Sequence, residues 1–156
     1  MSNLGECARL SQKTAILLER ARRVGITDDE LKTIITTGKL SGLKAAEQTG
    51  TSYEEFLSYA EEHGEDLLQA VVEGYRMTFN TNNGLKIWLF EKFGFEEGRH
   101  FLFSEGWIEG LQLRPESAEL LRHTLAVNWQ LLEDEDQTEG PKPYTLWIPQ
   151  AHQIKD

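Results

Sequence analysis

The sequence predicts an α+β fold that is predominantly α-helical: an N-terminal helical bundle, then further helices and one β-hairpin. Two observations carry the helical part. Apolar residues recur at helical spacing in segment after segment of residues 6–79, and glycines and capping-type residues punctuate those segments. The third observation is the exception to them. Residues 99–114, RHFLFSEGWIEGLQLR, place two aromatic and aliphatic runs on either side of Ser104-Glu105-Gly106, which suits a hairpin.

Residues 6–23 read as the first helix. Ala8, Ala15, Leu18 and Ala21 fall near helical spacing, Leu10, Ile16 and Leu17 flank them, and Gly25 is a stop. The second helix opens at Thr27, which has capping-box spacing to Glu30, and its acidic first turn complements the helix dipole. It presents Leu31, Ile34 and Ile35 and stops at Gly38. A short third helix over residues 42–48 carries Leu43 and Ala46 and ends at Gly50. The fourth starts behind Thr51 or Ser52, buries Phe56, Leu57 and either Tyr59 or Ala60, and runs to Glu62 before Gly64. Over residues 65–79, Leu67, Leu68, Val71, Val72 and Tyr75 share one helical face, with Gly74 a local weak point.

The stretch from Asn80 to Gly84 interrupts the chain, and two readings compete for residues 84–93. Asn83-Gly84 is the tight turn of a hairpin pairing Tyr75, Met77 and Phe79 with Leu85, Ile87 and Leu89; or Asn82 or Asn83 caps a helix LKIWLFEKF that ends at Gly94. The helical period of the preceding segment favours the second. After the hairpin, Pro115-Glu116 opens a last long helix. Leu121, Leu125, Asn128 and Leu132 form one face of it, and Glu119, Arg122, Ala126, Gln130 and Glu133 the wet side. Then EDEDQTEGPKP reads as a linker, followed by the apolar PYTLWIP. The organisation expected is a bundle over 1–64, helices and hairpin over 65–134 packed with it as one globule, and an acidic linker with an aromatic C-terminal segment over 135–156.

The 156 residues suffice for a core without staples, and a single cysteine, Cys7, excludes an internal disulfide. No signal-peptide core and no long apolar run is present, so a cytoplasmic protein without membrane association is expected. The net charge of −10 is unevenly placed. Residues 1–50 carry eight Lys/Arg against six Asp/Glu, or +2, whereas residues 51–156 carry eight against twenty, or −12. An acidic body repels phosphate, so a nucleic-acid contact would have to use the N-terminal third.

Within residues 41–62, Ala46 precedes Gly50 by four, and Phe56 and Tyr59 follow Ala46 by ten and thirteen. This is the spacing of a helix-turn-helix. A small residue lets two helices approach, a glycine makes the turn, and later apolar residues lock the second helix. That second helix should then offer Arg, Lys, Asn or Gln to base edges. Its outward positions are instead read as Ser52, Tyr53, Glu54, Glu55, Ser58, Glu61 and Glu62, so the packing is expected without the reading of DNA. A DNA-binding alternative would use Arg20, Arg22, Arg23, Lys39, Lys44, Ser52 and Tyr53, with Lys32 also near.

The other chemistry-bearing residues form no constellation. His63, His100, His123 and His152 are scattered without ligand-pair spacing, so neither metal nor cofactor is expected. Cys7 lies near Arg9 with no paired histidine. Glu96, Glu97, Glu105 and Glu109 surround the hairpin, and a third reading uses Glu105, Glu109 or His123 for acid–base chemistry in a small enzyme. No catalytic residue is assigned, and an enzyme is disfavoured. The leading expectation is a small acidic regulatory protein acting through protein–protein contacts on a basic, nucleic-acid-associated partner, with a homodimer compatible with it. Tyr144, Leu146, Trp147 and Ile148 are the partner-binding residues expected under that reading, because aromatic anchors dominate binding hot spots. The alternative for that segment is folding back over the protein's own core.

Overall fold

A computed structural model describes residues 8–47, 50–133 and 142–149. The fold is α+β and predominantly helical, and the chain divides into two compact units at Thr78/Phe79. Residues 65–78 therefore belong with the N-terminal unit, and the C-terminal segment belongs with the second.

In the first unit, strand β1 (Ala8–Leu10) pairs in parallel with β2 (Tyr75–Met77), closing the two ends of the unit on each other. The expected helix over 6–23 is thus shorter. Ala8 and Leu10 point to the core as alternate residues of a strand, a period too short to distinguish from a helical turn. Helix α1 (Gln12–Arg23) starts behind Ser11, whose Oγ accepts the Thr14 amide. Helix α2 (Asp28–Thr37) carries the capping box of Thr27 and Glu30 and ends at Gly38 in the left-handed conformation, φ 74°.

A 3-10 turn (Leu40–Leu43) leads into α3 (Lys44–Glu47). Gly42 allows a close approach to α2: a Cβ there would lie 2.8 Å from Ile34 Cδ1, and that side chain would have to shift. Helix α4 (Phe56–Glu62) begins later than expected. Ser52 Oγ accepts the nearby Glu54 amide rather than opening a helix, and Glu55 precedes α4 without a side-chain cap.

Helix α5 (Leu67–Glu73) stops earlier than its apolar period implies, because Gly74 takes φ 95° and ψ 176° and turns the chain into β2. Tyr75 and Met77 are buried as strand residues, not as a further helical turn.

In the second unit the helix reading of residues 84–93 holds. Helix α6 (Asn82–Phe93) is capped by Thr81, one residue before the expected Asn82 or Asn83, and ends at Gly94. Asn82 serves another end: its Oδ1 accepts the Gly106 amide at 2.8 Å, fixing the turn between β3 (Leu102–Ser104) and β4 (Trp107–Leu113). This is the expected hairpin.

Helix α7 (Pro115–Thr124) is about half the helix expected, and residues 130–133 are strand β5 (Gln130–Glu133) instead. The cause is Asn80. Its side chain and main chain bind Ala126, Asn128 and Trp129 and hold residues 126–129 in a turn. Val127, expected to broaden an apolar helical face, is consequently 77% exposed.

Strand β6 (Lys142–Trp147) sits inside an antiparallel sheet of order β3-β4-β6-β5. The row Phe103, Ile108, Leu146 and Leu131 crosses all four strands on one face, and Leu111 and Tyr144 continue it. Glu109 and Gly110 stand opposite Thr145 alone, a bulge of one extra residue between Ile108 and Leu111. No helix among the described residues is long and apolar enough to cross a membrane.

Candidate protein-docking site

Ala46, Tyr53, Phe56 and Ala60 are buried and Gly50 turns at φ 95°, but Tyr59, expected to lock the second helix, is half-buried. Helix α4 starts only at Phe56, so the connection from α3 is longer than the turn of a helix-turn-helix. The pair docks on α1. Tyr53 Oη donates to the Leu17 carbonyl at 2.5 Å, and the Tyr53 and Phe56 rings meet edge to face at 5.3 Å. The helical spacing puts Tyr53 outward, among the residues offered to DNA. It is instead fully buried, because it precedes α4 in a stretch without regular structure and its ring packs between Leu17 of α1 and Phe56.

What faces water is acidic. Glu54, Glu55, Glu61 and Glu62 are exposed, and residues 51–66 contain six Asp/Glu and no Lys or Arg. The cations expected to offset them divide into two groups. Arg20 Nη1 donates to Thr51 Oγ1 at the root of this segment. Arg22 is drawn inward, paired with Glu19 and Asp28 at 3.0 Å each and donating to the Val71 carbonyl at 3.4 Å. Burial alone would lower the Arg22 pKa, but the Glu19 and Asp28 carboxylates outweigh it and hold the guanidinium above its ordinary value. Lys32 pairs with Asp29 at 3.3 Å. Arg23, Lys39, Lys44 and Ser52 are exposed.

Between α1 and residues 52–59 lies a cavity of about 250 Å³. Helix α1 supplies Lys13, Thr14 and Leu17, and the other wall is Ser52, Glu54, Glu55, Phe56 and Tyr59. Thr14, Leu17 and Phe56 are buried, whereas Lys13, Ser52 and the two glutamates are exposed, so a floor of mixed polar and apolar atoms opens through a charged mouth. Lys13 Nζ sits 4.7 Å from the centre of the Tyr59 ring, and His63 stacks on Tyr59 with ring centres 4.0 Å apart. The sequence carries no sign of this cavity. Lys13 and Tyr59 lie far apart in the chain, and only the packing of α4 on α1 brings them together.

Of the C-terminal residues expected to bind a partner, Tyr144, Leu146 and Trp147 lie in β6 of the second unit's sheet and Ile148 directly follows it, the arrangement of the reading in which this segment folds over the protein's own core. Tyr144 and Leu146 are buried in its core, and Trp147 and Ile148 are half-buried. Trp147 meets Trp107 edge to face at 5.9 Å, and the Ile148 amide donates to the Gly106 carbonyl. Of the stretch expected as a linker, Glu133 belongs to β5 and Lys142 and Pro143 to β6, whereas residues 134–141, Cys7 and His152 lie outside the described residues.

Glu105, Glu109 and His123, weighed for acid–base chemistry, are exposed. His123 Nε2 lies 3.1 Å from Glu119, and Glu109 accepts from the Trp107 indole at 3.2 Å. Among the described residues, no three His, Cys, Asp or Glu side chains gather as a metal-ligand set. No family model, no curated protein and no solved structure matches the chain.

Proposed function

We propose that this chain is an acidic regulatory protein of the cytoplasm that works by protein–protein contact. Its docking surface is the carboxylate face of residues 54–66, and its partner presents a basic segment. The observation that carries this reading is the division of the helix-turn-helix-like pair into a packed interior and an acidic exterior. Tyr53, Phe56 and Ala60 are spent on the core, and the positions a DNA reader needs for cations hold Glu54, Glu55, Glu61 and Glu62. Arg22, one of the cations needed against phosphate, is occupied by Glu19 and Asp28. A carboxylate surface of this kind steers a basic partner and repels nucleic acid.

Fluorescence anisotropy tests this with two labelled probes, a hexa-lysine peptide and a mixed-sequence DNA duplex, across a salt series. The peptide is expected to bind at low salt. Replacing Glu54, Glu55, Glu61 and Glu62 by Gln should weaken it about tenfold, as the loss of a few charge contacts of ~0.2–1 kcal/mol each implies. Replacing Glu105, Glu109, Glu116 and Glu119 by Gln makes the same change in net charge and should leave binding nearly intact. Equal effects of the two sets would overturn the reading. So would duplex binding that falls steeply with salt and disappears when Arg23, Lys39 and Lys44 become Ala.

A further inference from the structure

We infer that the cavity between α1 and residues 52–59 is an anchor pocket for one arginine side chain of the partner, an inference that rests on the docking surface proposed above. Size is the first argument. At about 250 Å³ the cavity falls below the roughly 300–1,000 Å³ of small-molecule and cofactor sites, and it suits a single large side chain.

Chemistry is the second. Leu17 and Phe56 form the buried floor on which an aliphatic stem would rest, and Glu54 and Glu55 stand at the mouth where a cationic head would emerge. A buried tryptophan or leucine would leave those two carboxylates without a partner. Arginine satisfies both parts, because its planar guanidinium can engage a carboxylate through two donors and lie on an aromatic face.

The third argument is Lys13. The protein's own ammonium already rests 4.7 Å from the Tyr59 ring centre, so the ring is placed to receive a cation. Lys13 is exposed in the first turn of α1 and can move into water when a guanidinium replaces it. It acts as a competitor for the pocket. Its removal should therefore strengthen binding, the opposite of what loss of a structural contact does.

The test compares labelled hexa-arginine with hexa-lysine by anisotropy on the full chain, with circular dichroism checking the fold of each variant. The arginine peptide should bind about two- to fivefold more tightly than the lysine peptide, the factor a surface cation–π contact supplies. Lys13→Gln should tighten the arginine peptide by a similar factor and the lysine peptide by less, so that the preference widens. Tyr59→Leu should abolish the preference. If Tyr59→Leu fails to fold, the Lys13→Gln result, at an exposed position, decides alone. Equal binding of the two peptides, with Lys13→Gln changing both alike, would overturn the pocket while leaving the acidic surface standing. Failure of both peptides to bind at low salt would overturn both.

Discussion

Tyr53 and Leu17, 36 residues apart in sequence, are joined by a hydrogen bond from the phenol to a main-chain carbonyl of α1. That bond turns a residue in the position of a DNA contact into a fastener between the helix-turn-helix-like pair and the rest of its unit. Tyr53→Phe keeps the ring against Phe56 and removes only the bond, so it should destabilise the unit by about 0.5–1.5 kcal/mol. Urea denaturation followed by circular dichroism measures it. A Tyr53→Phe protein of unchanged midpoint would mean that the phenol contributes nothing to holding the pair.

Gly74 sets where α5 ends and β2 begins. At φ 95° and ψ 176° it occupies a region that side chains with a Cβ avoid, yet nothing lies within 4 Å of where that Cβ would be. Any effect of Gly74→Ala therefore comes from the backbone and not from a clash. It should cost about 1–3 kcal/mol, and the loss should appear as weakened protection of the β1–β2 ladder in hydrogen exchange.

Glu19 is 2% exposed and accepts from two directions, the Tyr75 phenol at 2.6 Å and the Arg22 guanidinium at 3.0 Å. This ties α1 to β2, and Asp28 extends the tie to α2. Glu19→Leu fills the space but leaves the cation and the phenol without their shared acceptor. The expected loss is roughly 2–3 kcal/mol, at or below the low end for a fully buried pair, because Arg22 keeps some water and still reaches Asp28. The raised pKa of Arg22 also fixes the sign of the pH dependence. A cation whose folded pKa is raised contributes stability that is complete below its ordinary pKa and fades only as pH climbs through the raised value. For an arginine that window lies far above neutrality, so Arg22's contribution should stay level across the neutral range in a pH series of denaturation curves.

Local signals in the sequence are enough for some elements and silent on others. The Thr27–Glu30 box, Gly38, Gly94 and the Ser104-Glu105-Gly106 turn act within a few residues of themselves, and each marks the boundary expected of it. Ala8–Leu10 and Tyr75–Met77 become strands because each finds the other across the whole unit, a partnership no window of neighbours contains. Leu146 and Tyr144 lie on a core face completed by Ile108 and Leu111 of β4, so their burial depends on residues more than thirty positions upstream. The candidate site divides the same way. Its exposed glutamates are readable from the spacing of Ala46, Gly50 and Phe56, whereas the cavity needs the packing of α4 on α1.

Asn80 shows how one polar residue can override an apolar period. Fully buried, it accepts the Ala126 amide on its side-chain oxygen at 2.9 Å, while its main-chain carbonyl accepts the Asn128 amide group and the Trp129 indole at 2.9 Å each. The helix that Leu121, Leu125 and Leu132 imply is stopped because residues 126–129 satisfy their polar groups on this loop. Asn80→Ala removes the acceptor of a buried amide and should destabilise the second unit by about 1–3 kcal/mol. The bonds from Asn128 and Trp129 go to main-chain atoms and survive the substitution. The Trp129 indole proton should therefore keep its NMR shift in the folded variant while the Ala126 amide loses its protection from exchange. Loss of both signals together would mean that the Asn80 side chain holds the whole turn, and not one amide of it.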